Sequence, residues 1–161
     1  MTFCSNDKIF SIIREQTGVF MTQEENREEI IKLKIPSKAI FIRKTRQVID
    51  EICERASFPK KKTQQLKLAI NEALANIISY AYNHDPDKVI YIYFLIIPER
   101  IEVVIRDFGK KPDLARMKPR DLNQLDDKGL GLLIMEKFVD YMAFDFSPEI
   151  GTELKFVKNR D

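Results

Sequence analysis

Apolar and polar residues follow two different periods in the first half of the chain. In IIKLKIPS, apolar residues alternate with lysine from Ile31, which is typical of a half-buried strand that ends at Pro36. Apolar residues then recur at helical intervals from Ile40 to Ala56 and from about Lys60 to Tyr82, with a break at SFPKKKT. The pattern predicts a strand and two helices, with Ser37 capping the first helix.

The second half predicts a hairpin, a third helix and two more strands. KVIYIYFLII and RIEVVIRD are predicted strands joined by a short PE turn, and the first is apolar on both faces, as in a central strand covered by helices. A helix from about Leu130 to Asp140, with Leu133, Ile134 and Phe138 facing inward, precedes the strands YMAFDFS and TELKFVK. This order predicts the α+β class: a two-layer sandwich whose mixed, mostly antiparallel sheet of about five strands is covered on one face by three main helices.

Length and composition limit the organisation of the chain. Its 161 residues suit one compact domain. We predict that this domain spans residues 30–161, and that residues 1–29 form an extension with a short helix followed by the polar linker MTQEENREE.

Charge and hydropathy exclude several function classes. The chain has 27 basic and 25 acidic residues, a net charge of +2 that favours neither direct nucleic-acid binding nor an anionic membrane. The longest apolar run, Val89 to Ile97, is far shorter than the ~20 residues that cross a bilayer. Cys4 and Cys53 match no metal-ligand spacing and indicate reduced thiols, so we expect a cytoplasmic protein.

One pair of polar residues accompanies the apolar stripe of the second helix. At about 100° per residue, Glu72 and Asn76 lie together at the edge of the face that packs inward. An amide oxygen can bind a hard cation such as Mg²⁺, while a nearby carboxylate accepts a proton. Alternatively, Glu72 is simply solvated and Asn76 bonds to a neighbouring loop.

A second polar position lies at the end of the strand RIEVVIRD. Alternation directs Asp107 to the same face as three aliphatic residues, where a carboxylate requires hydrogen-bond donors. The amino group of a bound heterocycle would be one such donor, and Gly109 has no side chain to block a flat ring. Alternatively, Asp107 caps the following turn and Gly109 adopts a positive φ.

The last two features lie near the C-terminus. Gly129 and Gly131 come directly before the predicted third helix, where free amides can bind phosphate and Lys128 can add a positive charge. A plain junction between loop and helix explains the same glycines. Thr152 faces the same way as two core residues of the last strand, although threonine is common in strands.

These four features in this order resemble the Bergerat (GHKL) ATP-binding fold of the histidine-kinase-like superfamily. LKLAINEALANIISYAY, IRDFGKKPDLA and KGLGLLIMEKFVDYMAF look most like the anti-sigma-factor serine kinases of bacterial partner-switching systems. The resemblance runs from about Ile30 to Val157. It implies an ATP-dependent serine kinase that uses Mg²⁺, phosphorylates an anti-anti-sigma (STAS-type) partner and sequesters a sigma factor.

The resemblance also implies roles for individual residues. Glu72 would be the general base and Asn76 the magnesium ligand. Asp107, beside Gly109, would read the adenine amino group with support from Thr152. The positions that would border the triphosphate are Lys128, Gly129, Leu130 and Gly131, and residues 110–128 would form the lid.

The chain departs from the family pattern at two places. Tyr80 stands where many members have histidine, and DFGKKP lacks the second glycine of the wider superfamily. The alternative function is a non-catalytic ATP-binding module that regulates a signalling partner by binding alone, although such a module would not need Glu72. Family precedent makes a homodimer one explanation of the N-terminal extension, and the alternative is that the extension is disordered.

Overall fold

The computed structural model describes residues 28–112 and 127–161. The predicted N-terminal helix, the predicted linker up to residue 27 and the central part of the predicted lid lie outside these residues. Glu29, predicted as the end of the linker, is instead the first residue of β1. The elements in chain order are β1 (Glu29–Pro36), α1 (Ala39–Arg55), α2 (Lys60–Asn76), a π-helical turn (Ile77–Ala81), β2 (Val89–Ile97), β3 (Arg100–Arg106), α3 (Asp127–Phe138), β4 (Tyr141–Asp145) and β5 (Glu153–Asn159).

The strands form one open sheet in the order β1-β2-β3-β5-β4. Each neighbouring pair is antiparallel, and β2 and β3 form the predicted hairpin. The α+β class and the count of five strands are confirmed. The expectation of a mixed sheet is corrected, because the described strands contain no parallel pair.

The core lies between the three helices and one face of the sheet. Its side chains on the sheet include Ile92, Phe94 and Ile105, each fully buried. They pack in one cluster with Ile49 of α1 and Ile70 of α2, which lie on the inward faces of those helices. The helices therefore cover one face of the sheet, as predicted, although β2 is rich in apolar and aromatic side chains on both faces.

The start of α1 differs from the prediction. Lys38 is the N-cap residue and makes no side-chain capping bond, so the prediction that Ser37 caps this helix is wrong. The Ser37 amide instead donates to the carbonyl oxygen of Lys88 at 2.8 Å, which extends the pairing of β1 with β2 by one step. The residue is thereby held at the end of the strand, and its side chain is buried.

The third helix begins earlier than predicted. It spans Asp127–Phe138, so Gly129 and Gly131 lie inside it and not before it. The predicted inward face is also corrected, because Leu133 is 38% exposed whereas Met135 and Val139 are buried. Residues four apart share a helical face, while a residue two positions away points to the opposite side. None of the helices in the described ranges is long and apolar enough to cross a membrane.

Candidate functional site

Glu72 and Asn76 meet a glycine of the neighbouring helix. The two side chains lie one turn apart on α2, which packs against α3. A methyl group added at Gly131 would lie 3.0 Å from Oε2 of Glu72, and 3.4 and 3.7 Å from Nδ2 and Oδ1 of Asn76. The absence of a side chain at Gly131 therefore leaves the space in which the carboxylate and the amide meet.

The helix changes its geometry directly after Asn76. Residues Ile77–Ala81 form a π-helical turn, in which the Tyr82 amide donates to the carbonyl oxygen of Ile77 at 2.9 Å. Such turns occur frequently at functional sites. The Ala81 carbonyl oxygen accepts from the Lys110 amide at 2.9 Å, so the turn also bonds to the segment after β3.

Gly109 packs directly against this turn. A methyl group at Gly109 would lie 2.4 Å from the Ala81 carbonyl oxygen, a distance that no side chain tolerates. The segment after β3 is thus fixed to the end of the helix that carries Asn76. This contact links the Glu72 and Asn76 pair to the Asp107 region.

Asp107 follows β3 and is buried, with 4% of its surface exposed. Burial raises the pKa of its carboxyl group, while the Gly109 amide, Arg106 and the Thr152 backbone act in the opposite direction. Oδ1 accepts from the Gly109 amide at 2.8 Å. Asp107 is therefore a desolvated carboxylate with a few fixed donors, as expected for a group that reads a polar ligand in an apolar setting.

Thr152 lies beside Asp107 across the sheet. The Asp107 amide donates to the Thr152 carbonyl oxygen at 3.1 Å. The Thr152 hydroxyl oxygen is buried and has no hydrogen-bond partner among the described residues. A buried hydroxyl without a partner is costly, so a ligand or a water molecule that supplies one would be favoured here. The residues around Asp107 thus fit a heterocycle that carries both donors and acceptors.

Gly151 brings the last connection close to Asp107. It has a φ of +77°, and a methyl group there would lie 2.0 Å from the Asp107 carbonyl oxygen. Both facts require glycine at this position. The sequence alone does not indicate this contact, because the close approach of Gly151 depends on the pairing of β3 with β5.

Tyr82 is a further residue that sequence reasoning missed. Its hydroxyl donates to the Val89 carbonyl oxygen at 2.5 Å and accepts from the Phe108 amide at 2.8 Å. Burial raises the pKa of Tyr82 to about 12. The tyrosine therefore connects the end of the helix to the segment between Asp107 and Gly109. In the sequence, the only sign of this residue was its position at the end of the predicted second helix.

The remaining predicted positions are only partly described. Leu130 is 46% exposed on α3, and the surroundings of Lys128 and Gly129 lie outside the described residues. The predicted lid, residues 110–128, is described at 110–112 and again from 127, where α3 begins. The roles of these positions and of the lid in binding a triphosphate remain predictions.

The arrangement combines three chemical capabilities. Glu72 supplies a carboxylate that can accept a proton, and Asn76 supplies an amide oxygen suited to a hard cation. Asp107 and Thr152 supply an acceptor and a hydroxyl at a buried position. These are the groups needed to orient a heterocycle at one end and to assist transfer of a charged group at the other.

Comparison with known proteins gives a family match and several relatives. The family model described as "Histidine kinase-like ATPase domain" matches residues 35–158. The chain is 28% identical to the serine-protein kinase RsbW of Bacillus subtilis over 124 residues, covering 72% of this chain and 78% of the relative. It is 31% identical to RsbW of Bacillus cereus over 122 residues, covering 71% and 76%.

Two solved structures share the fold. The RsbU and RsbW domains of Rv1364c from Mycobacterium tuberculosis match with a TM-score of 0.61 at 14% identity, over 83% of this chain and 33% of that chain. The SiaB-SiaC complex from Pseudomonas aeruginosa matches with a TM-score of 0.58 at 12% identity, over 99% of both chains. At these identities the structures support the fold alone.

Proposed function

Since the chain belongs to the histidine kinase-like ATPase family, we propose that it transfers the γ-phosphoryl group of ATP to a serine of a partner protein. Its similarity to RsbW serine-protein kinases over most of its length agrees with the resemblance inferred from the motifs. The observation that carries the proposal is the meeting of Glu72 and Asn76 at Gly131.

Glu72 acts as the general base in this proposal. Its carboxylate accepts the proton of the attacking serine hydroxyl as the serine oxygen bonds to the γ-phosphorus. The bond between that phosphorus and the bridging oxygen breaks, and ADP leaves with the electron pair. Phosphoryl transfer needs little further covalent chemistry from the protein, because positioning and charge neutralisation lower most of the barrier.

Asn76 is the proposed protein ligand of Mg²⁺. Its amide oxygen suits an ion that takes few protein ligands and is completed by phosphate and water. The ion, when bound, neutralises negative charge on the phosphates. Asp107 then accepts a hydrogen bond from the adenine amino group, with Thr152 as the supporting hydroxyl.

The proposed protein substrate is an anti-anti-sigma protein of the STAS type. We further propose that the chain sequesters a sigma factor when that partner is phosphorylated, and that it acts as a homodimer. The relatives named RsbW support the kinase activity, and SiaB is solved in complex with SiaC.

The test is phosphoryl transfer from labelled ATP, with Mg²⁺ and candidate STAS-domain proteins. We expect label on a partner serine with the unchanged chain. Glu72→Gln and Glu72→Ala should keep ATP affinity within a few fold and lower the transfer rate by at least about a hundredfold, because the base is lost while the binding groups remain. Glu136→Gln, an exposed position on α3, is the matched control and should leave transfer unchanged.

Two outcomes would contradict the assignment. If Glu72→Gln abolished ATP binding, Glu72 would be a binding group and not a base. If the unchanged chain bound ATP tightly but transferred no label to any serine, the chain would be the alternative, a module that regulates its partner by binding alone.

A further inference from the structure

The central part of the sheet face opposite the helices is buried as well, although the lysines of the edge strand β1 on that face are exposed. We call it the outer face and define it by Tyr93, Leu95, Glu102, Val104 and Lys155. Val104 is 0% exposed and Leu95 5% exposed, and they form a separate apolar cluster with Tyr93. Among the described residues this cluster contains side chains of β2 and β3 alone, whereas the helices belong to the core on the other face.

Charged side chains on the outer face are buried too. Nζ of Lys155 lies 2.7 Å from Oε2 of Glu102, and the two side chains are only 1% and 2% exposed. Side chains on neighbouring strands shield such a pair from water within the plane of the sheet, but they do not cover it in the direction perpendicular to the sheet. Ions on a face open to water would remain hydrated, because dehydration costs several kcal/mol per ion. Burial of this pair therefore indicates a cover.

We propose that residues 1–27 of the same chain cover the outer face. This segment leads directly into β1, the edge strand next to β2, so its end lies beside the face. A helix of twelve residues is about 18 Å long, and five strands spaced about 4.8 Å apart span about 19 Å. The segment is long enough to cross the sheet.

The composition of the segment matches the chemistry of the outer face. Its apolar residues suit the cluster around Val104, and they include Ile9, Phe10, Ile12, Ile13, Val19, Phe20 and Met21. The acidic residues Glu24 and Glu25 precede β1. At that side of the sheet, Nζ of Lys32 lies 5.3 Å from the ring centre of Tyr93 on the outer face, where its positive charge would complement these carboxylates.

The test measures how fast a thiol on the outer face reacts. Val104→Cys, in the full chain with Cys4→Ser, is treated with N-ethylmaleimide, and Ile150→Cys at a 61% exposed position serves as the exposed reference. Cys53 is buried, and burial raises the pKa of its thiol, so it reacts slowly. We expect Val104→Cys to react at least about a hundredfold more slowly than the reference.

Changes in the segment then identify the cover. Phe10→Asp with Ile13→Asp should speed the reaction at Val104→Cys at least about tenfold, because the charges oppose burial of the segment. Ser11→Asp with Gln16→Asp adds the same charge at polar positions and should change little. Leu95→Cys repeats the measurement at a second buried position, and circular dichroism verifies that each variant is folded.

Three results would overturn the proposal. The first is equal reactivity of Val104→Cys and Ile150→Cys in the otherwise unchanged chain. The second is slow reaction that Phe10→Asp with Ile13→Asp does not alter. The third is protection that disappears on dilution as a dimer dissociates, which would make a second copy the occupant of the outer face.

Discussion

Asp107 is a buried carboxylate, and the hydrogen-bond donors and the positive charge beside it favour its ionised form. Burial raises its pKa, so the protonated form contributes stability that is fully present below the ordinary carboxyl pKa and is lost as pH rises through the raised value. At neutral pH the ionised group therefore destabilises the nucleotide-free protein. The same ionised oxygen is the acceptor proposed for adenine.

This balance predicts opposite effects of Asp107→Asn on stability and binding. At pH 7 the variant should unfold at a higher urea concentration than the unchanged chain, and the difference should shrink toward pH 4. Its ATP affinity should be at least about tenfold lower at pH 7, since one acceptor becomes a donor. Asp87→Asn, at an exposed position, is the control for titration calorimetry. Unchanged ATP affinity in Asp107→Asn would contradict the adenine assignment.

Gly131→Ala separates catalysis from folding. Its methyl group would lie 3.0 Å from Oε2 of Glu72, so the carboxylate must shift by a few tenths of an ångström. Alanine is favoured over glycine inside a helix by about 1 kcal/mol, so the variant should be as stable as the unchanged chain or more so. We expect slower phosphoryl transfer with no loss of melting temperature. An unchanged rate of phosphoryl transfer in Gly131→Ala would show that the reaction does not depend on the position of the Glu72 carboxylate.

At the scale of elements, the π-helical turn and Tyr82 connect the two halves of the site. Tyr82→Phe removes the acceptor of the Phe108 amide and should lower the free energy of unfolding by about 1–2 kcal/mol. The raised pKa of about 12 means that Tyr82 contributes stability that is fully present below the ordinary tyrosine pKa of about 10 and is lost as pH rises through 12. The difference between the two proteins in urea unfolding should therefore narrow from about pH 10 to about pH 12, and a constant difference would contradict this role.

The elements that could be predicted are those with a local signal. The helical period placed Glu72 and Asn76 at the edge of the inward face of α2, and strand alternation directed Asp107 toward the core. The start of α3 was missed because the predicted boundary relied on glycine, whereas the helix begins at Asp127. Gly151 acts through a contact between segments distant in sequence, so no local pattern reports it. The end of the helical pattern marks the position of Tyr82 but not its hydrogen bond to the Phe108 amide, which also joins distant segments.

At the scale of the whole molecule, the site joins α2, α3 and the ends of β3 and β5, so ligand binding and global stability should be coupled. Anything that binds only the folded state stabilises it, by about 2.7 kcal/mol at a ligand concentration of about 100 times Kd. ATP with Mg²⁺ should therefore raise the melting temperature of the unchanged chain. Removing Mg²⁺ with EDTA should reverse much of this rise.

Asn76→Ala should change the metal dependence and leave adenine recognition intact. Because the proposed Mg²⁺ ligand is missing, ATP should raise the melting temperature of this variant by similar amounts with Mg²⁺ and with EDTA. Asn159→Ala, at an exposed position, should retain the response of the unchanged chain. If Asn76→Ala responded to EDTA as strongly as the unchanged chain, the metal would be held elsewhere, since a ligand that is absent cannot contribute to binding.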